Sequence, residues 1–110
     1  MTSVADEGGA IDFSYLEGFC ANDEQVIADV LSTFREQAAG GAEPLAQPGA
    51  DWRELAHTIK GSAFGIGARR LGEIAGAAEQ GAVEDLAPIG PELAEVVAEI
   101  EGYLTRIGGG

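Results

Sequence analysis

The chain has one cysteine, one histidine and only six basic residues against nineteen acidic ones. Each scarcity removes a class of function. A single cysteine cannot close an internal disulfide, and with one histidine beside it no ordinary transition-metal ligand set can be assembled. Cys20 therefore reads as a small apolar packing residue near a helix end. The formal charge of −13, with no Lys/Arg cluster to neutralise phosphates, excludes nucleic acid as a partner and disfavours anionic membrane surfaces. No apolar run approaches the ~20 residues needed to cross a bilayer. The first seven residues, Met1 to Glu7, have neither the basic start nor the apolar centre of a secretory signal, so a cytoplasmic location is expected. No serine or cysteine nucleophile stands beside a base. No Walker loop or kinase-type glycine loop occurs either, because Gly65-Ile66-Gly67 closes a helical pattern and follows no strand. A nucleotide-using enzyme is not expected.

What is present is helical periodicity along almost the whole chain, with no convincing period-2 run. A short helix over residues 12 to 20, capped by Asp12, would turn Phe13, Leu16 and Phe19 to one side. A second opens after Asn22, which with Gln25 resembles a capping box, and places Val26, Ile27, Val30, Leu31, Phe34 and Ala38 inward. Gly40-Gly41 should end it, and Pro44, Pro48 and Gly49 mark a connection in which Leu45 is buried. Asp51 and Glu54 form an acidic variant of the capping box for a third helix, from about Trp52 to Phe64 or Gly65. The fourth runs from about Ala68 to Gln80 with Leu71, Ile74, Ala75 and Ala78 inward. Pro88 and Pro91 open a last helix, on which Leu93, Val96, Val97, Ile100, Leu104 and Ile107 form a core stripe that ends at Gly108. The expected fold is all-α, an antiparallel up-down four-helix bundle with an additional short N-terminal helix. Residues 1–11 would be a flexible start, 12–107 the domain and 108–110 a frayed end, in a monomer.

The third helix separates into two faces at about 100° per residue. Leu55, Ala56, Ile59, Ala63 and Ile66 fall on the Trp52 side and form the buried stripe. The lone histidine, His57, does not. It falls on the outer side with Arg53, Lys60, Gly61 and Phe64, and so faces solvent. Lys60, three residues on, sets a cation within reach of the imidazole. That cation opposes protonation of the ring but suits a ring that acquires a dianionic group. Gly61, four residues on, lowers helix stability by about 1 kcal/mol relative to alanine, so its benefit lies elsewhere: space beside the ring. Phe64 is either an exposed aromatic on a partner surface or a half-buried core residue. Arg69 and Arg70 open the fourth helix, either as a solvated pair or as cations that meet an acidic partner.

The run Ala56-His57-Thr58-Ile59-Lys60-Gly61-Ser62-Ala63, followed by Ile66-Gly67-Ala68 and Leu71, resembles the histidine-containing phosphotransfer (HPt) domain family. The resemblance extends to Glu79, at a position the family fills with Glu or Gln, and covers residues 51 to 80 at the level of sequence. It implies a phosphorelay carrier, not an enzyme, with no cofactor of its own. Such a carrier takes a phosphoryl group from the aspartyl phosphate of a receiver domain, including that of a hybrid histidine kinase, and passes it reversibly to a response-regulator receiver. His57 would be the phosphorylated residue, reacting through Nε2. Lys60 would neutralise charge, and Gly61 would give access. Arg53, Phe64, Arg69, Arg70 and Glu79 would meet the partner, which supplies the Mg²⁺. Ser62 would serve helix packing or a local backbone bond. For Glu79, site contact and plain surface carboxylate both stand. The competing readings are a docking module that binds receivers without being phosphorylated, and an enzyme or metal protein using His57.

Overall fold

The computed structural model describes residues 10–108, apart from the side chains of residues 41–43, 46, 107 and 108. The described residues form five α-helices: α1 (Phe13–Phe19), α2 (Glu24–Ala46), α3 (Trp52–Gly65), α4 (Arg69–Gln80) and α5 (Ile89–Gly108). A 3-10 turn over Val83–Leu86, absent from the sequence reading, buries Leu86 between α4 and α5. There is no strand among the described residues, and the fold is the antiparallel four-helix bundle with a short leading helix. The core is made by Leu16, Ile27, Leu31, Phe34, Ala63, Ile66, Leu71, Ala75, Val96, Ile100 and their neighbours, and no polar or charged residue among those described is buried. No helix is long and apolar enough to cross a membrane among the described residues.

Several boundaries depart from the sequence pattern, each for a physical reason. The second helix runs through Gly40, Gly41 and Pro44 to Ala46. Glycine weakens a helix without forbidding it, and Leu45, seven residues beyond Ala38, packs against the core and keeps the inward stripe going. Its cap is Asp23, whose Oδ1 accepts from the backbone N–H of Gln25 and Val26. Asn22 stands outside the helix at φ +61, a conformation asparagine tolerates. Asp51 makes no side-chain cap bond to α3, so the expected acidic capping box does not form.

Two expected core residues point outward. Leu16 and Cys20, four apart, take the inner face of α1, which turns Phe19 to 70 % exposure, and Val26 is also exposed. Tyr103 on α5 is buried instead, stacked on Phe13 with ring centroids 4.4 Å apart. Cys20 is buried, as its packing role requires.

The flexible start expected over 1–11 is too long at its inner end. Ala10 and Ile11 are buried, and both backbone N–H groups donate to the Glu99 carboxylate, at 2.7 and 3.1 Å. The rest of that segment, residues 1–9, and Gly109-Gly110 of the expected frayed end lie outside the described residues; Gly108 closes α5. Asp12 N–H then donates to Gly67 O across 2.9 Å, which ties α1 to the α3–α4 turn. Gly67 is obligatory there. Its φ is +84, and a Cβ would stand 2.8 Å from Asp12 O.

Candidate functional site

The site is built on the α3–α4 pair, whose side chains meet in antiparallel order. Phe64 lies against Gly72, Lys60 crosses Gly76, His57 meets Glu79, and Arg53 reaches Gly81. Two of these contacts depend on missing side chains. A Cβ on Gly72 would come within 2.8 Å of the Phe64 ring, and one on Gly76 would stand 3.2 Å from Lys60 Cδ. Neither glycine was singled out from sequence. Their spacing of four on the face opposite Phe64 and Lys60 is the signal that reveals them once the helix register is known.

His57 faces solvent as its helical phase requires, with its side chain 64 % exposed. Its Nδ1 lies 2.9 Å from Glu79 Oε2, while Lys60 Nζ lies 2.9 Å from Glu79 Oε1. Glu79 thus bridges the two residues that the sequence had set side by side. Oε1 is otherwise shut away from solvent, and the Lys60 ammonium is its one partner among the described residues. The Lys60 ammonium, the burial of the carboxyl and the His57 ring act together on the Glu79 pKa, in that order of size. Lys60 and His57 outweigh burial, and hold the group below its ordinary value of 4.5.

A carboxylate has acceptors only, so the Glu79 contact fixes the proton of a neutral His57 ring on Nδ1. The lone pair then sits on Nε2, at the ring's outer edge. Gly61 is exposed, and nothing lies within 4 Å of where its Cβ would stand, so the space beside the ring is open.

The partner surface read from sequence changes more. Arg53 is engaged within the chain: Nε donates to Glu79 O at 2.8 Å, Nη2 donates to Gly81 O at 2.9 Å, and the guanidinium lies 4.4 Å from the Trp52 ring centre. Arg70 is also engaged, donating to Glu92 Oε2 at 2.8 Å, where the carboxylate sits in the first turn of α5. The Glu79 carboxylate is turned to His57 and Lys60, with its side chain 18 % exposed. Arg69 is exposed with no ion pair among the described residues. Phe64 is 42 % exposed, leaning over Gly72 with its outer edge free. Of the five expected contact residues, Phe64 and Arg69 are exposed without an internal hydrogen bond or ion pair among the described residues, whereas Arg53 and Arg70 are exposed but bonded within the chain. No group of three or more His, Cys, Asp or Glu residues among those described is arranged to hold a metal ion.

The fold and site are those of a helical bundle that presents one outward imidazole beside a carboxylate of the neighbouring helix. Residues 15–107 match the Hpt domain, and the chain belongs to that family. The crystal structure of the histidine phosphotransferase ShpA from Caulobacter crescentus superposes with a TM-score of 0.79 at 39 % identity, over 91 % of this chain and 95 % of that one. No curated protein matches the sequence. Membership assigns the domain to phosphorelay signalling, in which Hpt domains carry phosphoryl groups and meet receiver domains and histidine kinases.

Proposed function

We propose that this protein is a cytoplasmic phosphorelay carrier that accepts a phosphoryl group on His57 Nε2 from a receiver aspartyl phosphate and returns it to the aspartate of another receiver. The observation that carries this reading is the 2.9 Å contact between His57 Nδ1 and Glu79 Oε2. It leaves the nucleophilic lone pair on the solvent side. In the forward step the Nε2 lone pair attacks phosphorus, and a P–N bond forms. The bond from phosphorus to the aspartyl oxygen breaks, and its electron pair stays on the released carboxylate. Nδ1 keeps its proton throughout, and the Glu79 carboxylate faces the positive charge that the ring then carries.

In-line phosphoryl transfer depends on positioning and charge neutralisation more than on covalent help from the acceptor. Lys60 supplies positive potential one turn from His57, and Gly61 leaves the approach open. The receiver brings its own aspartate and Mg²⁺, so this chain needs no cofactor. Phe64 and Arg69 are the contacts we assign to the receiver surface. The chain acts as a carrier and not as a kinase.

The test is incubation with a panel of ³²P-phosphorylated receiver domains. An acid-labile, base-stable label should pass to the wild type and be absent from His57→Gln. If wild type binds a receiver but takes no label from any, the docking-module reading replaces this one.

A further inference from the structure

Glu79 is the penultimate residue of α4, in the turn of a helix that most readily frays, yet its carboxylate has to hold the His57 ring. At this end Gly81 N–H donates to Ala78 O. The last carbonyls of α4 need partners from elsewhere. Arg53 supplies them, donating from Nε to Glu79 O and from Nη2 to Gly81 O. Its guanidinium is steadied on a third side by the Trp52 ring. A cation at a helix C-terminus also meets the negative end of the helix dipole.

Arg53 and His57 are four residues apart on α3, and so stand one above the other on the same face. One holds the main chain of Glu79, and the other meets its side chain. We infer that Arg53 is a positioning residue: by clamping the Glu79 and Gly81 carbonyls it holds the Glu79 carboxylate on His57 Nδ1 and so sets which ring nitrogen is left free. It acts through Glu79 and touches no reacting atom. The planar fork of arginine spans two carbonyls at once, which the single ammonium of lysine does not. The exposed Arg53 that sequence reading offered to a partner is thereby assigned an internal task. The inference deepens the carrier reading and rests on it for its functional meaning, but the tautomer it concerns can be read without any phosphoryl transfer.

The test is ¹⁵N NMR of the neutral His57 ring in the full chain, well below the melting temperature, for wild type, Arg53→Ala, Arg53→Lys, Glu79→Ala and the Arg53→Ala/Glu79→Ala double variant. Wild type should be mainly the Nδ1–H tautomer. Arg53→Ala should lower the ratio of Nδ1–H to Nε2–H severalfold, Arg53→Lys should restore part of it, and removing Arg53 should change nothing further once Glu79 is alanine. A role confined to capping α4 would lower the melting temperature and leave the ratio untouched, and that result overturns the inference. An equal fall with and without Glu79 overturns it as well. Should Arg53→Ala fail to fold, the Arg53→Lys ratio carries the decision: a value equal to wild type overturns the inference, and a lowered one supports it. If the ratio responds as expected while no receiver labels the protein, the carrier reading fails and the positioning role stands.

Discussion

The side chain of Lys60 crosses α4 at Gly76, with its Cδ 3.2 Å from where a Cβ on that glycine would stand. Only this bare position lets the lysine stem lie flat and bring its ammonium to Glu79. Gly76→Ala should therefore shift the stem by a few tenths of an ångström, and Gly76→Leu should lift the ammonium off the carboxylate while favouring the helix itself. The expected outcome for Gly76→Leu is a Glu79 titration that moves up towards the ordinary carboxylate range, together with slower phosphoryl transfer. Carbon-13 NMR of the glutamate carboxyls reads the first and receiver-to-carrier kinetics the second.

Lys60→Ala removes the same charge directly. Glu79 Oε1 then loses its partner, and the largest influence holding its pKa down disappears. Because the folded value of Glu79 is lowered, the contribution of the ionised carboxylate is present above 4.5 and is lost as pH falls through the lower folded value. In wild type the His57–Glu79 contact should persist on acidification after exposed glutamates have protonated; in Lys60→Ala it should give way nearer the ordinary value. Stability at neutral pH should fall, because a solvent-shielded carboxylate oxygen is left without its partner. A shorter phosphohistidine lifetime, followed by ³¹P NMR, is the functional counterpart.

Gly61 separates access from stability. Space around its missing Cβ is open, so Gly61→Ala should raise stability by about 1 kcal/mol through helix propensity alone and keep transfer close to wild type. A large side chain, as in Gly61→Trp, should block the receiver while the helix remains intact. Urea denaturation and transfer rates measured on both variants check the two halves, and a fully active Gly61→Trp would remove the access role.

Far from His57, Tyr103 fastens α1 to α5. Its hydroxyl donates to Glu17 Oε2 at 2.6 Å, and burial, then the Glu17 carboxylate, push its pKa from 10.0 to about 12. A value raised on folding means that the neutral phenol stabilises the fold fully below pH 10, and that this contribution is lost as pH rises through about 12. Denaturation midpoints should fall over that alkaline window. Tyr103→Phe should lower stability at neutral pH by about 1–2 kcal/mol and weaken the alkaline dependence.

The outward position of His57 was legible because a 3.6-residue period fixes the phase of every residue on α3 relative to Trp52 and Ala63. Lys60 and Gly61 followed from the same wheel. The engagement of His57 and Lys60 with Glu79 was open only through the family resemblance, and that of Arg53 with the end of α4 was not legible at all, because both depend on the axial register between two helices, which no single-helix pattern contains. Gly72 and Gly76 set that close approach, yet in sequence they look like two more helix-weakening glycines. The extension of α2 beyond Gly40 was hidden for a related reason. A propensity penalty is visible in the sequence, whereas the packing of Leu45 that outweighs it is visible only in the fold. Phe19 misled because hydrophobic character alone cannot say which residues of a seven-residue helix are inward when Leu16 and Cys20 already fill that face.

The central claim, that His57 carries the phosphoryl group on Nε2 because Glu79 holds Nδ1, is tested most directly by heteronuclear NMR. The ¹⁵N-labelled protein would be phosphorylated by a receiver and the ¹⁵N–³¹P coupling located. The account predicts coupling of phosphorus to Nε2 of His57 with the proton still on Nδ1; phosphorus on Nδ1, or on any other residue, would contradict it.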